Sequence, residues 1–481
     1  MPRGNIAPNI WKEGNSGMID IQNKLIVHRS DPIYAQVKQY CHDHLFLDNP
    51  DYIKKERLGK WTGNTPKYIW LFEKIGDDIA LPFGCFRDVW GMLPDKNAYK
   101  PEILPAERLQ YDSGINLYPY QEQAVSEALR AKFGVLVMPC GSGKTQCGLE
   151  IIARLGVRTL WLTHTHDLLT QSMERAKACL NLPAGALGTI TAGKVNIGTH
   201  ITFATVQTLS KLDLSAYRDT WGCVIVDEAQ HCAGSPTRVS QFYKVVSSLA
   251  CYHKYGLTAT PKRADGLQAS IFALLGPKIH EVTREQVAHN TCPIRVQTIE
   301  TGYIPEYDAI LQGDGTIDYN RLIDNMIGNR ERLELIGDKI CEVAKAGPTI
   351  VLANRVQYLK DLNAYCDTIS AVRLSGKGQS KGAKAERRQA LYAIEHGELD
   401  CIFATYQLAA EGLDVPSLRY VVFATPEQNE TTIIQAAGRV GRKAEGKDFG
   451  TVIDFVDDFG MYRGWYTKRL RYYKKIGAEI L

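Results

Sequence analysis

The stretch Val135-Leu136-Val137-Met138-Pro139-Cys140-Gly141-Ser142-Gly143-Lys144-Thr145 decides the fold. Its apolar run predicts a buried strand, its small residues predict a tight turn, and Lys144-Thr145 opens a helical pattern. Because small residues let backbone N–H groups approach an anion at a helix N-terminus, the turn is typical of phosphate binding. The full eight-residue pattern has Gly where this chain has Met138, so a structural strand–helix loop is the alternative.

The residues that we predict to bind ATP lie in this turn and at the start of the helix after it. They are Gly141, Ser142, Gly143, Lys144 and Thr145. Lys144 would reach the β- and γ-phosphates, and the Thr145 hydroxyl would ligate Mg²⁺. The sequence therefore predicts ATP and Mg²⁺ as cofactors.

A pair of acidic residues follows a second apolar run. The stretch Asp227-Glu228-Ala229-Gln230-His231 comes directly after Val224-Ile225-Val226, and ligands of α/β sheets collect where strands end. We predict that Asp227 holds the metal and that Glu228 orients and deprotonates the attacking water. Two surface acids that close a strand are the alternative, which the phosphate turn upstream makes less favourable.

Two arginines lie three residues apart in the stretch Gln435-Ala436-Ala437-Gly438-Arg439-Val440-Gly441-Arg442. Phosphoryl transfer needs positive charge at the departing γ-phosphate, and an arginine finger contributes roughly 10³–10⁵ in rate. We predict that Gln435, Arg439 and Arg442 are catalytic and that closure of a cleft brings them to ATP. A surface turn is the alternative.

Short apolar runs alternate with longer helical patterns from about residue 116 onward, which is typical of parallel sheets covered by helices. One alternation ends near Thr283, and a second begins near Ile294. Buried strands are expected at residues 135–138, 159–162, 201–204, 224–226, 349–353, 401–404, 420–423 and 451–453. The predicted fold class is α/β, with two tandem parallel-sheet domains.

The N-terminal region differs from the rest of the chain in composition, because it is richer in Trp, Pro and Gly. A strand is expected at residues 24–27, a helix at 33–44 and hairpin-like structure around 59–63. We predict a small α+β accessory domain there. The predicted division of the chain is residues 1–110, 111–285, 286–460 and a C-terminal tail at 461–481.

Positive charge is concentrated near the C-terminus, although the net charge of the 481 residues is only +4. Between Tyr462 and Lys475 cations are interleaved with aromatic rings, a mixture that can neutralise phosphates and stack on bases. We predict that Lys468, Arg469 and Arg471 contact nucleic acid. The alternative is a helix whose Tyr and Leu residues dock on the protein, and both can hold for opposite faces.

Composition excludes several classes of protein. No apolar run approaches the roughly 20 residues that span a bilayer, and the chain begins without a signal pattern. The 12 cysteines stand singly, without zinc spacing, and are expected to be reduced and mostly buried. We therefore expect a cytoplasmic protein.

The ordered motifs resemble those of superfamily 2 helicases and translocases over roughly residues 115–460. Tyr118-Pro119-Tyr120-Gln121 is similar to the family's adenine-reading motif, which implies that Gln121 contacts the base. Leu257-Thr258-Ala259-Thr260-Pro261 is similar to the motif that couples ATP to nucleic acid. The resemblance implies two tandem RecA-like domains and an ATPase that nucleic acid stimulates.

Other segments resemble the motifs with which this family grips a strand or the nucleotide. They are residues 163–171, 204–209, 354–355 and 404–414. The resemblance implies strand contacts at Thr165, Thr205, Arg355 and Thr405, and nucleotide contacts at Gly412 and Asp414. For Thr165 and Thr405, helix capping is the alternative.

Two further comparisons of motifs indicate which nucleic acid the protein acts on. Asp-Glu-Ala-Gln-His with Thr-Ala-Thr-Pro is unlike the corresponding pair in RNA helicases, which favours DNA. Residues 57–64 and 81–84 are similar to the accessory domain of UvsW-type phage helicases, although a folded scaffold is the alternative. This resemblance implies a phage or mobile-element protein that migrates junctions and reverses forks, moving 3′ to 5′ as relatives do.

Two other functions stay open. A restriction-type translocase subunit would work with a nuclease, and Pro50-Asp51 lacks the strand-borne Glu-x-Lys of such a site. An ATP-gated switch that binds structured DNA or RNA without unwinding it would use the same hydrolysis residues. Strand displacement is the activity that separates a motor from a switch.

Overall fold

The computed structural model describes residues 19–21, 23–96, 106–232, 240–260, 266–374, 381–410 and 415–481. Two compact units make up the chain. The first comprises residues 1–116, 122–137 and 145–281, and the second comprises residues 117–121, 138–144 and 282–481. Most of the glycine-rich turn therefore groups with the second unit.

A small antiparallel sheet begins the first unit. Its elements are β1 (Ile19–Ile21), β2 (Lys24–Val27), α1 (Tyr34–His44), β3 (Phe46–Asp48), α2 (Pro50–Arg57), β4 (Tyr68–Trp70), β5 (Glu73–Ile75), β6 (Asp78–Pro82) and α3 (Phe86–Met92). Four strands pair in the order β1-β2-β6-β5, and β3 pairs with β4. The strand and helix predicted here are confirmed. The hairpin expected around residues 59–63 is wrong, because those residues form a turn between α2 and β4.

The rest of the first unit consists of an eight-stranded sheet, the helices between its strands and a separate strand pair. Its elements are β7 (Asp112–Ser113), α4 (Pro119–Ala131), β8 (Phe133–Val137), α5 (Lys144–Leu155), β9 (Thr159–Thr163), α6 (His166–Cys179), β10 (Leu180–Asn181), β11 (Leu187–Thr191), β12 (Lys194–Asn196), β13 (Ile201–Thr205), α7 (Val206–Leu209), β14 (Cys223–Asp227), α8 (Gln241–Ser248), β15 (His253–Thr258), α9 (Gln268–Leu275) and β16 (Lys278–Glu281). The order is β12-β11-β13-β9-β14-β15-β8-β16, and only the β11–β12 pair is antiparallel. Strands β7 and β10 pair separately.

The second unit contains a seven-stranded sheet. Its elements are α10 (Arg284–Val287), β17 (Ile294–Glu300), α11 (Tyr319–Gly328), α12 (Arg330–Ala346), β18 (Thr349–Ala353), α13 (Val356–Tyr365), β19 (Ala371–Arg373), α14 (Lys381–Glu395), β20 (Cys401–Thr405), α15 (Tyr406–Ala410), β21 (Tyr420–Phe423), α16 (Glu430–Val440), β22 (Gly450–Val456), α17 (Gly460–Lys475) and β23 (Glu479–Ile480). All pairs in the order β19-β20-β18-β21-β22-β17-β23 are parallel. The α/β class and the eight predicted strands are confirmed.

The small sheet and the first large sheet share one hydrophobic core. The ring of Phe83 packs edge-on against that of Phe133, with centroids 5.2 Å apart. A Cβ on Gly84 would lie 2.3 Å from the carbonyl oxygen of Phe272, so only glycine allows this approach. Lys254 is buried here, and its Nζ donates to the carbonyl of Leu249 (2.9 Å). Burial lowers the pKa of this lysine.

In the part of the chain that the structure describes, no helix is long and apolar enough to cross a membrane. Nine of the 12 cysteines are buried, as expected.

Candidate functional site

The glycine-rich turn follows β8 and leads into α5, which begins at Lys144. Gly141 and Gly143 have φ of +80° and +79°, a region that strains residues with side chains. Ser142 is buried, and its hydroxyl has no hydrogen-bond partner among the described residues. Because buried polar groups in native proteins are rarely left unpaired, this hydroxyl fits a site that a phosphate completes.

Gln121, at the start of α4, forms a hydrogen bond with the glycine-rich turn. Its Nε2 donates to the carbonyl of Ser142 (2.8 Å), and its Oε1 accepts from the N–H of Tyr118 (2.9 Å). The hydroxyl of Tyr120 donates to the same carbonyl (3.2 Å). Both ends of the Gln121 amide thus have protein partners, and its contact with the base stays a prediction.

Helix α16 carries Gln435 and Arg439, two of the predicted catalytic residues, and passes close to the turn. A Cβ on Gly438 would lie 3.1 Å from the Cβ of Cys140. Gln435 is buried, Arg439 is half-buried in the last turn, and Arg442 follows the helix. The structure therefore places the arginine stretch beside the phosphate turn, whereas contacts of the arginines with a nucleotide stay predictions.

Asp227 and Glu228 lie at the carboxyl edge of the first large sheet. Asp227 ends β14 and is buried, and its Oδ1 accepts from the N–H of Glu228 (3.1 Å). Glu228 has a φ of +54°, in the left-handed region. Strained backbone of this kind clusters at functional sites. Together with Thr145, Asp227 offers the oxygen ligands that Mg²⁺ prefers.

A buried chain of hydrogen bonds leads from the predicted coupling motif to Glu228. The N–H of Thr260 donates to the hydroxyl of Thr258 (3.1 Å), which donates to Oε1 of Gln230 (2.7 Å). The Nε2 of Gln230 then donates to a carboxylate oxygen of Glu228 (2.8 Å). Sequence reasoning missed Gln230 as a site residue; its only signal was an amide between two residues of the acidic stretch.

His164 belongs to the predicted strand-gripping segment 163–171 and contacts the acidic stretch. Its ring centroid is 4.1 Å from that of His231. Burial, then the neighbouring His231, lowers the pKa of His164 to about 4, whereas Glu228 acts in the opposite direction. The carbonyl of His164 accepts from Nε2 of Gln207 (2.5 Å). Within this segment only Thr165 was predicted as a site residue, and His164 was missed.

Three hydroxyls predicted to touch a nucleic-acid strand have local partners. Thr165 caps α6 by accepting from the N–H of Leu168 (3.3 Å). Thr405 accepts from the N–H of Leu408 (3.4 Å). Both threonines therefore form the capping bond that was the alternative, and their strand contacts stay predictions. Thr205 is buried and donates to the hydroxyl of Thr208 (3.0 Å).

Arg355 is partly exposed at the start of α13. Its guanidinium donates to Asp324 (3.2 Å) and to the side-chain oxygen of Asn320 (2.9 Å). An exposed ion pair is weak, so a phosphate can compete for this arginine. Its strand contact stays a prediction. The predicted nucleotide residues Gly412 and Asp414 lie outside the described residues.

The C-terminal segment corrects one prediction. Arg469 is only 1% exposed and donates to Asp454 of β22 (2.8 Å), which also accepts from the hydroxyl of Tyr473 (2.9 Å). Arg469 is therefore not available to nucleic acid, because it lies on the face of α17 that packs on the sheet. Lys468 and Arg471 are exposed on the other face. The docking alternative therefore holds for the inner face, and nucleic-acid contact by the outer face stays a prediction.

Two family models match the chain. Residues 114–263 match "Type III restriction enzyme, res subunit", and residues 331–444 match "Helicase conserved C-terminal domain". A protein of Acanthamoeba polyphaga mimivirus with the provisional name of an ATP-dependent RNA helicase is 25% identical over 89% of this chain and 78% of its own. The DNA 3′-5′ helicase XPB of Kineococcus radiotolerans is 26% identical over 74% of this chain, which spans only 60% of that relative.

Solved structures agree with the fold. The type ISP restriction-modification enzyme LlaBIII bound to DNA matches 76% of this chain and 30% of its own, with a TM-score of 0.55 and 18% identity. T4 UvsW matches 96% of this chain and 97% of its own with 18% identity. Its TM-score of 0.39 is too low to support a statement about this chain.

Proposed function

Because the chain is an ATP-hydrolysing helicase of superfamily 2 with two tandem RecA-like domains, we propose that it translocates on DNA and unwinds or remodels forked and branched duplexes. The observation that carries the proposal is the buried hydrogen-bond chain from Thr260 through Thr258 and Gln230 to Glu228. It joins the predicted base to the motif that resembles the coupling motif. A motor needs hydrolysis and conformational change to be linked in this way.

The proposed hydrolysis uses residues of the glycine-rich turn and the acidic stretch. Lys144 binds the β- and γ-phosphates, while Thr145 and Asp227 hold Mg²⁺, which neutralises charge on the phosphate oxygens when bound. Glu228 takes a proton from the attacking water, and Gln230 holds its carboxylate in place. The arginine pair beside the turn supplies positive charge at the γ-phosphate.

DNA is the proposed polymer, with movement 3′ to 5′. The Kineococcus relative carries the name of a DNA 3′-5′ helicase, and the acidic and coupling stretches differ from those of RNA helicases. The mimivirus relative is named for RNA, so RNA belongs in the test.

Exposed aromatic and basic residues between Lys60 and Trp70 support a substrate with unpaired bases. Trp61 is 86% exposed, and Tyr68 and Trp70 of β4 are each 37% exposed. Lys60 and Lys67 are exposed nearby in the chain. Rings can stack on bases and ammonium groups can neutralise phosphates, a combination that suits the single-stranded part of a fork. We therefore propose that this region selects branched DNA for junction migration and fork reversal.

The test measures the ATPase rate with single-stranded DNA, duplex, fork, four-way junction and RNA, together with strand displacement on the branched substrates. We expect the fork and junction to stimulate hydrolysis most and to be separated in an ATP-dependent reaction. Lys144→Ala is the control and should hydrolyse no ATP.

Other outcomes would favour the alternatives. A rate that is indifferent to DNA and RNA excludes a motor. Stimulation without strand separation supports an ATP-gated switch. Movement along duplex without preference for branches supports the restriction-type translocase, whose res subunit family matches residues 114–263.

A further inference from the structure

His164 lies where three segments of the first unit meet. Its ring contacts that of His231 at a centroid separation of 4.1 Å, with the planes 32° apart. Its carbonyl accepts from Gln207, in the second predicted strand-gripping segment. Its neighbour Thr165 is the N-cap of α6. A displacement of the start of α6 is therefore passed directly to His164.

The position of the His164 ring is energetically unfavourable for the folded state. Among the residues that the structure describes, neither of its nitrogens has a hydrogen-bond partner, although both are buried. Such a group destabilises the folded state by about 1–3 kcal/mol, and a native protein rarely retains one without a reason.

The contact with His231 continues to the hydrolysis site. The N–H of His231 donates to the carbonyl of Glu228 (3.0 Å), which closes the turn after β14. Within that turn Glu228 has its left-handed backbone conformation. A shift of His231 therefore acts on the strained backbone that carries the Glu228 side chain.

We propose that His164 is a positioning residue that transmits DNA binding at residues 163–171 to Glu228 through its ring contact with His231. The inference rests on the proposed function, since it presupposes that DNA contacts this segment. It adds a second connection to Glu228, beside the one through Gln230.

The first experiment compares His164→Ala with His164→Phe in the full chain. For the alanine variant we expect DNA stimulation of kcat to fall about tenfold, while the KM for ATP and the Kd for single-stranded DNA stay within about twofold. The phenylalanine variant should recover most of the stimulation, because it restores a ring against His231. Stimulation of His164→Ala equal to that of wild type would overturn the inference.

The second experiment is a double-mutant cycle on the stimulation factor with His231→Ala. We expect the double variant to be no worse than either single variant, because all three lack the same contact. Additive losses would overturn the inference. If His164→Ala does not fold, the Phe variant and His231→Ala decide: wild-type stimulation in His231→Ala overturns the inference.

Different results would contradict the proposed function and the role of His164. A wild-type protein that no nucleic acid stimulates removes the proposed function. A stimulated wild type with an equally stimulated His164→Ala removes only the role of His164.

Discussion

Glu228 combines a strained backbone with a supported side chain. A φ of +54° costs a residue with a Cβ on the order of 1–2 kcal/mol, and the Asp227 carboxylate and the Gln230 amide both hydrogen-bond to it. The backbone conformation turns the chain sharply after β14. The amide then fixes where the carboxylate oxygen lies, which is what a general base requires.

Gln230→Leu should therefore impair catalysis more than binding. The hydrogen bond to a charged group contributes about 1.5–3 kcal/mol, so we expect kcat to fall about tenfold to a hundredfold. The KM for ATP should change little, because Gln230 is not among the predicted nucleotide ligands. Steady-state ATPase kinetics with saturating DNA measure both. An unchanged kcat would show that Glu228 needs no support from this amide.

His164 gives the first unit a pH-dependent stability. Its pKa falls from 6.5 to about 4 on folding, so between these values the unfolded chain binds more protons and stability declines as the pH falls. From pH 7 to pH 5 this group alone should cost roughly 2 kcal/mol. His164→Phe should lose that much less than wild type, as measured by urea unfolding at both pH values. Equal losses in the two proteins would contradict a neutral, buried ring.

From the sequence we could predict those site residues that a local pattern identifies. Lys144 and Asp227 follow apolar runs, which is enough to place them at the edge of a sheet. Gln230 and His164 could not be predicted, because their partners are distant in the chain: Thr258 lies 28 positions after Gln230.

Helix α17 has one face buried in the protein and the other exposed to solvent. Residues of one face are buried, Arg469 and Tyr473 against the sheet and Tyr462 against α11, and β23 then joins the sheet edge. Lys468 and Arg471 face solvent. The segment from residue 461 onward is thus an integral part of the second unit, so deleting it would test folding and not DNA binding.

Arg469→Ala should destabilise the second unit strongly. It leaves the Asp454 carboxylate buried without its guanidinium partner, and breaking such a pair costs about 3–5 kcal/mol. The neighbouring Lys468→Ala is the matched control and should change stability by less than about 0.5 kcal/mol. Thermal unfolding monitored by circular dichroism measures the difference. Similar melting of the two variants would mean that the ion pair contributes little.

The exposed face of α17 is tested by the double substitution Lys468→Ala and Arg471→Ala. If each cation neutralises one phosphate of duplex DNA, the slope of log K against log salt should become shallower by about 0.9 per residue. Affinity measured between low and moderate salt gives this slope. An unchanged slope with unchanged stability would exclude this face from DNA binding.

Strands were predictable where apolar runs are unbroken, and β18 and β21 appear at the expected residues. Strand β15 escaped prediction because His253 and Lys254 interrupt its apolar pattern. The structure resolves this by burying the lysine under Phe83, 4.9 Å from the ring centroid, with backbone carbonyls as acceptors. Such a compensation involves residues remote in sequence, so no local pattern contains it.

At the scale of the whole first unit, the small sheet and the large sheet depend on each other. Gly84→Val should separate them, because its side chain would collide with the carbonyl oxygens of Phe272 and Ala273, 2.3 and 2.4 Å from a Cβ. We expect faster proteolysis of the N-terminal region and a lower melting temperature. Gly91→Ala, in α3 with open space around its Cβ, is the control and should be neutral or slightly stabilising. Equal protease resistance of both variants would contradict a shared core.

That shared core also has a consequence during synthesis on the ribosome. Phe83 and Phe86 need Phe133, Tyr252 and Ala273 as neighbours, and the last of these is made about 190 residues after Phe83. At about 5–20 residues per second, these aromatic residues after β6 lack their partners for roughly 10–40 s. During that interval a nascent chain exposes an apolar surface that chaperones can bind, and slower translation lengthens the exposure.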